Sequence, residues 1–305
     1  RFPSNIVFSE SIGFLAKPSA EQDAPFMIVA HESAHQWWGN ILRPGEAPGG
    51  NILSEGMAHF STARLFRQLR GDRARQAFMR EIEFSYANGR QVDEERPMTE
   101  IDGNRRGDTT VTYDKGGWVF WMMMDLLGQE RMDEGLRAFI GKFKDGPDYP
   151  LLQDFVESMR PFAKDPAAYD AFVDQWFLGV VVPEIKVDSA TCTAPAKEGD
   201  PWRTVVKVRN AGTGTVPLEM AVTNGKDRWP EASLPRTAEE RAAAATQSED
   251  FRDARALQVI AADQELEYVF ETPFEPKKAV ADPDVRTLML GRKTAEADVT
   301  PASSR

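Results

Sequence analysis

His31-Glu32-Ser33-Ala34-His35 sets two imidazoles four residues apart, with a carboxylate beside the first. The apolar lead-in Phe26-Met27-Ile28-Val29-Ala30 and the following Trp37-Trp38 predict a helix through this stretch. On a helix, residues four apart share a face, so both rings point the same way. Such a pair suits Zn²⁺, which binds His nitrogen at about 2.0–2.1 Å. Glu32 then stands where it can take a proton from water activated by the metal. The chain has three histidines, and two of them fall at this spacing. The bland alternative is an ordinary helix carrying the pattern by accident.

A catalytic zinc site needs three protein ligands and one open position. Glu55 is the candidate third ligand, in a stretch from Asn51 to Phe60 that reads as the start of the next helix. Between the two, Arg43-Pro44-Gly45 and Ala47-Pro48-Gly49-Gly50 break and turn the chain. A second, antiparallel helix can then bring a carboxylate back to the His pair. His31, His35 and Glu55 would form a His₂Glu set.

These residues also carry a family resemblance. His31-Glu-Ser-Ala-His-Gln-Trp-Trp-Gly-Asn40 and Leu53-Ser-Glu-Gly-Met-Ala58 resemble the M1 family of zinc aminopeptidases. That family's core is close to H-E-x-A-H-Q-W-x-G-N, followed by N-E-G-x-A. Tyr113-Asp114-Lys115-Gly116-Gly117 resembles the family's Y-E-K-G. The resemblance spans residues 4–180. It implies Zn²⁺ on His31, His35 and Glu55, with Glu32 as general base that later protonates the leaving amine. It also implies that Tyr113 donates a hydrogen bond to the oxyanion of the tetrahedral intermediate. The alternative for Tyr113 is a buried tyrosine at a helix end. Lys115 is expected to pair a local carboxylate.

The departures are specific. Gln36 through Ser54 makes nineteen residues between the second His and Glu55, one more than the family's usual spacing. Ser54 stands where the family has Asn. Thr62 stands where the family often has a carboxylate supporting a zinc His, so that support must come from elsewhere. His59 shares a helix face with Glu55 and is expected to fill that role or line the groove, ahead of binding the metal directly. The exopeptidase marker G-x-M-E-N, whose Glu binds the substrate's free amino group, is absent. Ser9-Glu10-Ser11-Ile12-Gly13-Phe14 occupies the equivalent place, after a strand-like Ile6-Val7-Phe8. Glu10 is therefore either the amine-binding carboxylate or an ordinary strand-end Glu. The longer spacing and the Leu-Ser-Glu wording most resemble a bacterial branch fused behind an ABC-transporter permease. That branch implies a membrane permease partner or fusion, and a tether to the bacterial membrane.

Composition sets the outer bounds. At 305 residues, 41% hydrophobic and 28% charged, the chain can fold as two globular domains. A net charge of −11 argues against nucleic acid and against an anionic membrane surface as partners. The one cysteine, Cys192, excludes an intrachain disulfide. No stretch reads as a signal peptide or a membrane span. Val119–Leu127 is apolar but short and contains Asp125, so it reads as a core helix. The chain begins at Arg1, whereas M1 enzymes usually carry a large β domain before this point. The expectation is a piece of a longer protein, with any anchor outside it.

Residues 1–20 read as a short strand pair and linker. Helices are expected near 25–40, 51–70, 72–89, 108–128, 130–144, 150–161 and 165–178. The charged, Pro- and Gly-containing stretch 90–107 reads as a loop over the cleft. Tyr169, Phe172, Trp176 and Phe177 form a packing stripe. After Val180-Val181-Val182-Pro183 the texture changes to short β-rich runs: Glu184–Val187, Thr204–Val208, Leu218–Thr223, Leu257–Ala261, Leu266–Phe270 and Lys278–Val280. A polar, Ala- and Glu-rich insert covers 231–254. The expected class is α+β: a mainly helical, thermolysin-like zinc peptidase domain (1–182), an Ig-like β-sandwich (183–291) and a disordered tail (292–305). The expected activity is removal of N-terminal residues from peptides. Its rivals are a zinc endopeptidase without amine recognition and a catalytically silent peptide-binding domain attached to a transporter.

Overall fold

In a computed structural model, residues 5–6, 9–17, 19, 23–229, 237, 239–240 and 246–302 are described. The chain divides between Val180 and Val181 into two compact units, one helical and one of strands.

The helical unit carries α1 (Glu10–Leu15), α2 (Ala24–Ala34), α3 (Glu55–Arg70) and α4 (Asp72–Gly89). Then come α5 (Asp108–Thr110), a π-helical turn (Val111–Lys115) and α6 (Gly116–Leu127). The unit closes with α7 (Gln129–Phe143), α8 (Leu152–Met159) and α9 (Pro166–Trp176). Asp23 starts α2 by accepting the Phe26 N–H at 3.1 Å, with Pro25 in the first turn. The helix stops at Ala34, short of the expected 40. Asn40 Nδ2 donates to the His35 carbonyl at 2.8 Å, and Gly39 takes a φ of 108° to turn the chain. Gly71, at φ 86°, separates α3 from α4. The expected single helix over 108–128 is interrupted by the π-helical turn.

The apolar run within α6 forms the core of this unit. Trp118, Val119, Phe120 and Met123 are fully buried, and Trp118 Nε1 donates to the Met79 carbonyl of α4 at 3.0 Å. No helix among the described residues is long and apolar enough to cross a membrane. Helices α3 and α6 approach through their glycines. A Cβ on Gly56 would lie 3.1 Å from the Gly116 Cα, and one on Gly117 would lie 2.7 Å from the His59 Cβ. The stripe on α9 packs as expected, with Tyr169, Trp176 and Phe177 buried.

The 90–107 stretch is tied down by buried carboxylates. Glu95 accepts from Tyr86 Oη at 2.7 Å and from Arg90 Nε at 2.9 Å, and pairs with Lys115 Nζ, whose side chain is wholly buried. Asp108 Oδ2 accepts from Arg96 at 2.7 Å and from the Gly103 N–H at 3.0 Å. The pairing expected for Lys115 is therefore present, with a partner from this loop.

The second unit holds β1 (Ile185–Thr193), β2 (Trp202–Asn210), β3 (Val216–Thr223), β4 (Asp253–Ile260), β5 (Glu265–Thr272), β6 (Lys278–Ala281), β7 (Glu296–Asp298) and β8 (Thr300–Pro301). Two four-stranded sheets run β5-β2-β1-β8 and β4-β3-β6-β7. Every pairing is antiparallel except β1 with β8. Alternate residues face inward, as Thr204, Val206 and Val208 do on β2. Tyr268 of one sheet donates to the Leu218 carbonyl of the other at 2.8 Å.

The disordered tail expected over 292–305 does not hold for its described part. Residues 292–294 form a 3₁₀ turn, β7 pairs with β6, and β8 pairs with β1. Val299 donates to the Lys277 carbonyl at 2.9 Å and Ala302 to the Cys192 carbonyl at 2.8 Å. The polar tail is ordered because two sheet edges offer it backbone partners. Half of the insert expected over 231–254 lies outside the described residues, and its last two residues begin β4.

Candidate metal centre

The last turn of α2 presents His31, its C-cap position presents His35, and the first turn of α3 presents Glu55. A 3₁₀ turn at Gly50–Leu53 leads into α3, and Ser54 absorbs the junction. His31 Nε2 lies 3.2 Å from Glu55 Oε2, His35 Nε2 lies 3.0 Å from the same oxygen, and the two Nε2 atoms are 3.2 Å apart. Hydrogen bonds alone cannot satisfy a triangle of two imidazole nitrogens and a carboxylate oxygen unless extra protons are held there. A tetrahedral Zn²⁺ with bonds of about 2.0–2.1 Å separates its ligands by about 3.3–3.4 Å. The three atoms thus match one face of such a tetrahedron, whose fourth corner none of them occupies.

Glu32 also reaches this group. Its carboxylate and the two imidazoles offer ligand atoms within 4.8 Å of one another. Glu55 makes the tighter triangle with the histidines, so Glu55 fits the third ligand position and Glu32 the place beside it. Both histidines and Glu55 are at most 12% exposed, and Glu32 is half-buried.

The tautomer of His35 is fixed. Its Nδ1 lies 2.9 Å from the Trp38 carbonyl, which can only accept, so Nδ1 carries the proton and Nε2 carries the lone pair that can ligate. Ser54 Oγ donates to the same carbonyl at 3.1 Å. Trp38 is anchored in turn by donation of its indole N–H to Ser61 Oγ at 3.1 Å. Trp38, Asn40 and Ser54 thus hold the end of α2 against α3.

His59, one turn beyond Glu55, brings its Nδ1 within 2.9 Å of His31 Nδ1, and its Nε2 lies 3.7 Å from Asp114 Oδ1. This is the supporting place foreseen for it, away from the ligand triangle. Burial, with His35 nearby, lowers its pKa to about 4, so the ring is neutral at ordinary pH. Thr62 is turned away: its hydroxyl donates to the Ala58 carbonyl at 2.8 Å. Asp114 accepts from Thr110 Oγ1 at 2.9 Å, and burial pushes its carboxyl up to about 6.

Tyr113 sits in the π-helical turn, half-buried, with its ring stacked on His31 at 5.9 Å and edge-on to His59 at 5.6 Å. Single π turns recur at functional sites because they push one side chain out of helical register. Glu10 is not brought into this group. It lies in the exposed first turn of α1, and among the described residues no hydrogen bond or ion pair joins it to the histidines. The expected strand-end setting is therefore replaced by a helix start. Val7 and Phe8 of the expected strand lie outside the described residues.

Two things escaped the motif reading. The partner of Lys115 is Glu95, from a loop whose charge and proline content gave no sign of a buried pair. The π turn likewise left no mark in hydrophobic periodicity, although the glycines after Tyr113 show where α6 must come close to α3.

A helical unit carrying a His-Glu-x-x-His helix, with a carboxylate from the next helix, defines a metallopeptidase-type centre. The Peptidase family M1 domain matches residues 5–176, more than half of the chain, and the chain belongs to that family. It is 23% identical over 143 residues to Putative aminopeptidase-2 of Caenorhabditis elegans, covering 45% of this chain and 7% of that protein. It is 28% identical over 155 residues to Aminopeptidase N of Haemophilus influenzae, covering 48% of this chain and 17% of that protein. The chain thus matches less than a fifth of the length of either relative. Among solved structures, Legionella pneumophila aminopeptidase A in complex with aspartic acid aligns over 89% of this chain and 28% of its own, with a TM-score of 0.53 and 19% identity. That likeness is one of fold.

Proposed function

We propose that this chain hydrolyses peptides, with Zn²⁺ held by His31, His35 and Glu55. The observation that carries the reading is the 3.0–3.2 Å triangle of two Nε2 atoms and one carboxylate oxygen. Bound there, Zn²⁺ supplies Lewis-acid activation of water and of the scissile carbonyl. Glu32 accepts the proton of the attacking water and later delivers it to the leaving amine. Tyr113, from its place over His31, donates its hydroxyl to the oxygen that becomes negative in the transition state. His35 is held as an Nδ1–H donor by the Trp38 carbonyl, so its Nε2 lone pair is always presented.

The test is Glu32→Gln. Gln is nearly isosteric but cannot take the proton. The variant should keep one zinc per chain and lose about 10²–10⁴ in turnover, the usual share of a general base. Parent-level turnover of a peptide substrate by this variant would remove Glu32 from the mechanism.

Membership of the M1 family and the likeness to proteins named aminopeptidases support removal of N-terminal residues. The exposure of Glu10 favours the second reading, an endopeptidase without that amine-binding carboxylate. Rates on a free peptide and on its N-acetylated form separate the two. An aminopeptidase cuts the free form far faster, whereas equal rates leave the endopeptidase. A silent peptide-binding domain is disfavoured by the presence of both Glu32 and Tyr113, which binding alone does not require. The two four-stranded, mainly antiparallel sheets separately support an Ig-like type for the strand unit, and the nineteen-residue spacing and Ser54 carry the permease-fused assignment. Permease spans within the native polypeptide would bear it out, and a native chain without them would end it.

A further inference from the structure

We propose that His59, backed by Asp114, is the residue that orients His31 for the metal, in the place where Thr62 provides no carboxylate. The proposal rests on the zinc reading above. His31 has two ring nitrogens. Its Nε2 faces the ligand triangle, 3.2 Å from Glu55 Oε2 and 3.2 Å from His35 Nε2. A nitrogen that ligates a metal carries no proton, so the proton of neutral His31 sits on Nδ1. That Nδ1 lies 2.9 Å from His59 Nδ1, a separation that needs one donor and one acceptor. His31 donates, and His59 accepts with its Nδ1 lone pair. The His59 proton is thereby placed on Nε2, the nitrogen that faces the Asp114 carboxylate at 3.7 Å. This contact is electrostatic at that distance. Asp114 is itself anchored by the Thr110 hydroxyl.

The His59 ring has little freedom to leave this place. Its Cβ lies against Gly117, where even a methyl group would come within 2.7 Å. Its ring stands edge-on to His31 at 84° and to Tyr113 at 78°, with Phe78 at 5.8 Å on another side. A carboxylate in the usual supporting role polarises a ligating His and orients it. Here a neutral imidazole supplies the orientation, and the carboxylate charge stands one ring further back. His59 is thus a positioning residue that acts through His31.

Three histidines make the proton positions directly readable. In zinc-loaded protein with ¹⁵N-labelled histidine, long-range ¹H–¹⁵N spectra should show His31 and His35 protonated on Nδ1 and His59 protonated on Nε2. His59 protonated on Nδ1 would overturn the proposal. Zinc affinity, measured by chelator competition, gives a second readout that does not depend on turnover. His59→Phe keeps ring volume and removes the acceptor, and should weaken zinc binding by about 10–100-fold. His59→Asn puts an oxygen near the Nδ1 position and should bind close to the parent value. Parent-level affinity in the Phe variant, or equal losses in both, assigns His59 to packing alone. If the Phe variant does not fold, the tautomers of the parent and the affinity of the Asn variant decide. A parent protein that takes up no stoichiometric zinc overturns the zinc reading itself, before any variant is compared.

Discussion

Tyr113 and Asp114 are neighbours in the chain with opposite assignments, one facing the cleft and one facing the protein. The Tyr113 ring lies within 19° of parallel to the His31 ring, with the ring centroids 5.9 Å apart. Tyr113→Phe should lower kcat by about 10²–10³, as loss of an oxyanion donor does, with KM changed far less. An unchanged kcat in a folded variant returns Tyr113 to packing. Asp114 has a stability consequence of its own. Burial raises its pKa from 3.8 to about 6, with Glu81 adding to the shift and the Ser85 and Thr110 hydrogen bonds opposing it. The folded chain therefore holds this proton more tightly than the unfolded chain. Stability falls as pH rises between about 4 and 6, and the full cost, about 3 kcal/mol, is present above that window. Asp114→Asn cannot ionise and keeps one oxygen, which can still accept from Thr110. In metal-free protein it should melt higher than the parent at pH 8 and lose that advantage by pH 4. A lower melting temperature at pH 8 would contradict this account.

Among the elements, α3 and α6 set the geometry of the site. Glu55 and His59 ride on one, and Tyr113 immediately precedes the other. The distance between them is fixed by Gly56, Gly116 and Gly117, which let backbone meet backbone. Adding a methyl at Gly117 strikes the His59 Cβ at 2.7 Å, and that atom, fixed to the helix backbone, cannot swing aside. Gly117→Ala should cost about 1–3 kcal/mol in denaturant unfolding, the usual range for overpacking, and should weaken zinc binding as well. A variant as stable as the parent would show that the two helices can part without cost. The Glu95–Lys115 pair works on the same junction from the other side, tying the 90–107 stretch to the end of the π turn.

At the scale of the whole molecule, the buried core is expected to stand without the metal. Trp118, Phe120, Phe155 and Met159 are buried in the helical unit, and the strand unit has its own buried faces. Chelation of zinc should therefore leave the far-UV circular dichroism in place. It should lower the melting temperature of the helical unit alone, by the linkage term of about 2.7 kcal/mol when free zinc is a hundredfold above its Kd. Loss of helix on chelation would mean that the ligand triangle organises the fold. His31→Ala should reproduce the chelated state.

The sequence by itself marked the candidate ligands and most of the elements, because both are written locally. Helical spacing alone puts His31 and His35 on one face, and turn residues alone bring Glu55 back. Alternating apolar residues mark β2, β3 and β5 wherever one face is buried. The tertiary structure decided what depends on partners distant in the chain. The tail is ordered by edges of β1 and β6, more than a hundred and about twenty residues away respectively. Lys115 finds Glu95, Asn40 ends α2 six residues earlier than periodicity indicates, and Glu10 starts an exposed helix. The pairing of His59 with His31 was open to several readings until α2 and α3 were placed side by side. A hydrogen bond is satisfied or lost within a few tenths of an ångström, and residue order along a chain carries no information at that resolution.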